Sequence, residues 1–206
     1  MLDKVRVRAS LGTLVAQLFF IAAGVYLGNR ADDWKQYHEH RQAARQTLVN
    51  FRAELASNRA SLVRVAPYHA ELARGFAALT GGPGGPPTSI PAMFKRVGWR
   101  GAGEVAFRRT AWDLALANQS LGYLDQDLAF AVADVYLHQQ RYEAYQETMQ
   151  RAVYTPASLR PEAVGGVTFI LMMYFSDVSR SSDPNLAKAY DRVLSRVDSA
   201  IRRLPR

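Results

Sequence analysis

Residues 34–79 read WKQYHEHRQAARQTLVNFRAELASNRASLVRVAPYHAELARGFAAL. Steps of three and four from Trp34 land on Tyr37, Arg41, Ala44, Leu48, Phe51, Leu55, Asn58, Leu62, Val65, His69, Leu72, Phe76 and Leu79. All of these but Arg41, Asn58 and His69 are apolar or aromatic. A repeat near 3.5 residues kept up this long is the seam of one long helix. Pro67 should kink or break it, because proline lacks the N–H and its ring crowds the preceding turn. Such a seam either packs inside an intramolecular bundle or pairs copies as a coiled coil, since both use the same side-chain geometry. With further helices expected in the chain, the bundle is the expectation, and a homo-oligomer through residues 34–79 is the alternative.

Upstream, LVAQLFFIAAGVYLGNRADDW (Leu14–Trp34) is apolar until Asn29, and the 21 residues from Ala9 to Asn29 carry no charge. As a helix they would reach about 32 Å, against a hydrocarbon core of about 30 Å. A transmembrane anchor over residues 10–29 is therefore expected, after a short basic flank at 1–9. Ala22-Ala23-Gly24 could offer a leader-cleavage site, yet the apolar run continues through Val25, Tyr26 and Leu27, so a retained signal anchor is expected. Lys4, Arg6 and Arg8 precede the span, while Arg30, Lys35, Arg41 and Arg45 follow it. The compact basic start places the N-terminus in the cytoplasm and the bulk of the chain in the periplasm of a bacterial inner membrane. Thr13, Gln17, Gly24 and Gly28 share one stripe, a surface for packing against other membrane helices. No histidine lies in the span, so the chain is expected to hold no pigment or haem there and to have no cofactor of its own.

Downstream, GGPGGPPTSIP and the basic run after it make residues 81–103 a loop. It lacks the Gly-Lys-Ser/Thr ending of a phosphate cradle. Lys95, Arg96, Trp99, Arg100, Arg108 and Arg109 form a basic and aromatic cluster that suits lipid headgroups or an acidic protein face. The overall balance of 26 Lys and Arg to 18 Asp and Glu points the same way, and nucleic acid is not expected outside the cytoplasm. Residues 104–206 read as helices that complete the bundle. One should run from Glu104 to Ser120. A second, capped by Asp125, carries Leu128, Val132, Val135, Tyr142, Tyr145 and Met149. GGVTFILMMYFSDV is too short to span and should be a buried core helix. The last helix should start at Asp183 as cap with Pro184 in its first turn, and bury Leu186, Tyr190, Val193, Val197, Ile201 and Leu204. The fold expected is all-α.

GVYLGNRADDWKQYHEHRQ (residues 24–42) and FRRTAWDLALANQSLGYLDQDLA (residues 107–129) resemble two motifs of a family of bacterial single-pass, membrane-anchored helical proteins. Asn29 and Trp34 stand at that family's span boundary, with a longer spacing than its pattern, and Trp112, Leu114, Leu121 and Leu128 match its second motif. The resemblance implies an anchored all-helical protein and supplies no activity.

Chemistry is sparse. There is no cysteine, which excludes disulfides, thiolate metal sites and a cysteine nucleophile. His38-Glu39-His40 lacks the second zinc-motif histidine, since residue 42 is Gln42. His69 and His138 stand alone, and Glu143, Glu147 and Glu162 have no histidine three residues on. No metal site and no enzyme activity are expected. The function expected is a structural or accessory subunit of a larger membrane complex, such as a respiratory or photosynthetic one, with other membrane subunits and the bilayer as partners. A ligand-binding or sensory bundle is the alternative, and a hydrolase the distant one.

Overall fold

The computed structural model describes the backbone of residues 3–81 and 84–204, and the side chains of that set except residues 3–15 and 31. The described chain is all-α. Six helices, α1 (Asp3–Gly81), α2 (Ile90–Val97), α3 (Thr110–Ala117), α4 (Gln126–Val153), α5 (Val164–Asp177) and α6 (Asp183–Arg203), are joined by short 3₁₀ turns and one π turn. They form four legs that alternate in direction. α1 is the first; α2, an extended stretch and α3 make the second; α4 is the third; α5 and α6 make the fourth.

The seam on α1 is the spine of the bundle. Ala44, Leu48, Phe51, Leu55, Leu62, Leu72, Phe76 and Leu79 are buried against the other legs. The seam is thus occupied within the chain from Ala44 onward, and only Trp34 and Tyr37 at its start stay exposed. The break expected at Pro67 does not occur, for α1 runs through it. Pro67 and Val63, whose carbonyl loses its partner, both lie on the exposed side. Water can satisfy that carbonyl, while buried Leu62, His69 and Leu72 hold the helix on either side.

Three other expectations need correction. Residues 81–103 are not all loop: Ser89 caps α2 by accepting from the Ala92 N–H at 3.3 Å, and Gly98 ends it in the left-handed region. Gly75 on α1 gives α2 room, because a Cβ there would meet Val97 Cβ at 3.2 Å. The helix expected from Glu104 shrinks to Thr110–Ala117, and residues 101–109 are not helical. Finally, Asp183 does not cap a new helix. α5 passes into α6 through a π turn, Val178–Ser182, closed by the Asp183 N–H on the Val178 carbonyl. Proline at 184 would crowd the carbonyl four residues back, and the wider turn relieves that contact.

α5 is half-buried rather than fully buried. Val164, Val167, Leu171, Tyr174 and Phe175 face inward, while Phe169, Ile170 and Met173 are exposed. Asp125 caps α4 as expected, accepting from the Leu128 N–H at 3.0 Å. On α6, Leu186, Tyr190, Val193 and Val197 are buried and Ile201 and Leu204 partly so. In the upper core Phe76 stacks on Phe175 with centroids 5.7 Å apart, and Trp99 stacks on Phe94 at 4.6 Å.

Candidate functional site

The second leg is held as a bound peptide would be. From residue 100 to 111 its backbone polar groups find partners in side chains of α1 and α4 rather than in a helix of their own. The Tyr68 hydroxyl donates to the Gly101 carbonyl at 2.9 Å and accepts from the Arg100 N–H at 2.7 Å. Gln146 accepts from the Val105 N–H and donates to its carbonyl, both at 2.9 Å. Glu143 accepts from the Phe107 N–H at 2.9 Å. Asn58 accepts from the Arg108 N–H at 2.9 Å and donates to the Arg108 carbonyl at 2.7 Å. Glu54 takes the Ala111 N–H at 3.0 Å and the Tyr136 hydroxyl at 2.6 Å. Side-chain amides with one donor and one acceptor side by side reproduce a strand's peptide edge.

Midway up, one buried cluster ties all four legs together. His69 on α1 is fully buried. Its Nε2 lies 2.9 Å from the Gly103 carbonyl and its Nδ1 2.8 Å from Asp183 Oδ2, while Tyr142 donates to Asp183 Oδ1 at 2.7 Å. A carbonyl only accepts, so Nε2 carries a hydrogen; the Nδ1–Oδ2 contact holds a second. Burial, then the Asp183 charge and hydrogen bond, push the Tyr142 hydroxyl far above its ordinary pKa, so it stays a donor. Both ring nitrogens are engaged and the ring is sealed from solvent, so this cluster is a brace, with no free base to offer a substrate. The π turn serves it by bringing Asp183 inward.

Among the described residues no group of three or more His, Asp or Glu is placed to hold a metal ion. His38 and His40 diverge on α1, one ring against Trp34 and the other stacked on Tyr123 at 4.2 Å. A cleft of about 310 Å³ between α4 and the π turn reaches the brace through Tyr142 and is also lined by Arg141 and Asn185.

The basic cluster does not form one surface. Trp99 is packed into the core against Phe76, Phe94 and Phe175. Arg96 donates to the Gly85 carbonyl at 2.8 Å. Arg100 pairs with Glu71 at 3.1 Å and covers the Tyr68 ring, and Arg109 pairs with Asp113 at 3.1 Å. Lys95 and Arg108 are exposed. Arg100 sits level with Glu71 and Arg108 with Asn58, about 20 Å apart along α1 at ~1.5 Å per residue. Arg108 is also about 44 Å along α1 from Asn29, by the same rise. Headgroup contact by this cluster would need the bundle to lie flat on the bilayer.

Among the described residues no helix is long and apolar enough to cross a membrane. The run at 10–29 begins in residues 10–15, whose side chains, with that of Thr13, lie outside the described ones. Gln17, Gly24 and Gly28 are exposed, and a Cβ on either glycine would meet nothing within 4 Å. No described side chain from residue 16 to 43 is buried. Asn58 and His69 were visible in the sequence as polar exceptions in the seam; Glu54, Tyr68, Tyr142, Glu143, Gln146 and Asp183 carried no local sign of their roles. Comparison of the chain with protein-family models, curated proteins and solved structures finds no match.

Proposed function

We propose that this chain is a membrane-anchored, non-enzymatic scaffold or accessory subunit, held in a bacterial inner membrane by residues 10–29 with its bundle on the periplasmic side. One observation carries the reading. Leu18, Phe19, Phe20, Ile21, Val25, Tyr26 and Leu27 are each between 59% and 74% exposed, around the whole circumference of a helix that no other described part of the chain covers. Such a surface in water would far exceed what soluble proteins tolerate. A protein partner covers one face of a helix; hydrocarbon covers all of them, and the helix satisfies its own backbone. Tyr26 and Trp34, with Arg30 donating to the Tyr26 hydroxyl at 3.3 Å, suit the boundary with the headgroups.

The unbroken helix supports a scaffold role. The first buried seam residue, Ala44, stands about 22 Å along α1 from Asn29 at ~1.5 Å per residue, so the bundle rides on a stiff stalk at a set height. Alkaline carbonate washing of membranes tests the anchor: the chain is expected in the pellet, and a Phe19→Arg/Ile21→Arg variant in the supernatant. Extraction of the unaltered chain would overturn the reading. Co-purification of a stoichiometric membrane partner tests the subunit role.

A further inference from the structure

We propose that the cleft between α4 and the π turn is a binding site for a small organic anion, a monocarboxylate with an aromatic or aliphatic body. The cleft lies wholly within the bundle, so the site goes beyond the scaffold reading and does not depend on how the chain is anchored.

The hollow, of about 310 Å³, has two walls. Arg141, Tyr142 and Tyr145 line it from α4, where steps of three and four put them on one face. Opposite them stand Ser181 of the π turn and Asn185 and Leu186 of α6. The Tyr142 hydroxyl donates to Asp183 Oδ1 at 2.7 Å and so ties the two walls together. Tyr145 is held in turn by the Tyr174 ring, with centroids 5.0 Å apart. The cleft is therefore formed before a ligand arrives, which spares the ligand the cost of ordering it.

The polar groups select an anion. Arg141 is exposed and forms no ion pair with a described residue, so its planar fork of donors is available to a carboxylate. Asn185 donates to Ser181 Oγ at 3.4 Å, which occupies a lone pair there and leaves the Ser181 hydrogen for an acceptor on the ligand. No acid lines the cleft. Asp177, close by, accepts from Ser182 Oγ at 3.1 Å, and Asp134 stands 4.0 Å from His138. The cleft between residues 104–106 and α4 has the opposite character: Glu104, Glu143 and Glu147 line it with no Lys or Arg, and the same ligand would be repelled there. One arginine matches one negative charge. The rings of Tyr142 and Tyr145, with Leu186, give the body of the ligand an apolar wall, the usual make-up of a small-molecule site. Inorganic phosphate has nothing to lay on that wall.

The test is calorimetric titration of the full chain in detergent with three probes: benzoate, the uncharged benzamide of the same shape, and inorganic phosphate. Benzoate is expected to bind saturably and at least about tenfold more tightly than either of the others, the margin that a charge-assisted pair supplies. Arg141→Gln should weaken benzoate by about the same factor. Arg64→Gln removes the same charge from an exposed position on α1 outside the cleft and should leave benzoate binding unchanged. Absence of saturable benzoate binding, benzamide or phosphate binding as tightly as benzoate, or equal losses from Arg141→Gln and Arg64→Gln would each overturn the proposal.

Discussion

Asn58 and Arg108, fifty positions apart in the chain, meet as two strands would: the Asn58 amide accepts from the Arg108 N–H at 2.9 Å and donates to its carbonyl at 2.7 Å. Asn58 is 2% exposed, so its own amide has no water to fall back on. Asn58→Leu should strand both backbone groups and destabilise the chain by about 2–4 kcal/mol, since each unpaired buried group costs roughly 1–3 kcal/mol. Asn58→Asp keeps the acceptor, loses the donor and should fall between. Urea unfolding of the full chain in detergent, followed by circular dichroism, measures the order; a Leu variant as stable as the parent would show that the second leg does not depend on this bridge.

The His69–Asp183 pair should behave as one unit. Asp183→Ala leaves a buried ring with its Nδ1 facing no partner and the Tyr142 hydroxyl without its acceptor, a loss of about 3–5 kcal/mol for half of a buried pair. Removing His69 as well, with an apolar residue at both positions, should cost much less than the sum of the two single changes. A double-mutant cycle reads this coupling directly. Additive effects would mean that the two side chains stabilise the bundle independently.

The residues that could be read from sequence are those whose partners lie nearby or repeat regularly. The α1 seam was legible because its period recurs over many turns, and the Asp125 cap because its acceptor and the Leu128 N–H are three residues apart. α2 had its own signs in Ser89, Pro91 and Gly98, and the surrounding glycine and proline run concealed them. The extended second leg was illegible: local propensity at 104–109 favours helix, and the side chains that outbid it, Gln146 and Glu143 of α4 and Asn58 of α1, are 36 to 50 positions away. Asp183-Pro184 looked like a helix start for the same reason, as its true partners, His69 and Tyr142, are distant in sequence. The polar exceptions at Asn58 and His69 were the one clue that α1 grips something other than a helix.

Gly103 should tolerate no side chain. It has φ +67, and a Cβ would stand 3.0 Å from His69 Nε2, Tyr68 Cδ1 and a Val65 methyl. None of these can withdraw cheaply, because His69 and Tyr68 are both fixed by hydrogen bonds to this same segment. Gly103→Ala should therefore cost about 1–3 kcal/mol, combining left-handed strain with displacement of the brace. Gly122, whose Cβ would meet nothing within 4 Å, is the matched control and should change stability little. Thermal unfolding of the two variants in parallel decides it, and a neutral Gly103→Ala would mean that the segment can move away from α1 without loss.

Alkaline pH should unfold the bundle through its buried tyrosines. Tyr136, Tyr142, Tyr174 and Tyr190 all have hydroxyls pushed above the ordinary value, first by burial; Glu54 adds to this at Tyr136 and Asp183 at Tyr142 and Tyr174. A raised value in the folded state means that the unfolded chain releases the proton first. The stability these groups contribute is complete below about pH 10, the unfolded value, and is lost as pH rises above it. Each should remove up to about 1.4 kcal/mol per pH unit beyond that point. Absorbance of tyrosinate near 295 nm, recorded alongside circular dichroism, follows the ionisation of Tyr136, Tyr142, Tyr174 and Tyr190 together with the loss of helix. The buried group should ionise in one step with unfolding. Smooth ionisation of all ten tyrosines before any loss of helix would show that these hydroxyls reach solvent in the folded chain.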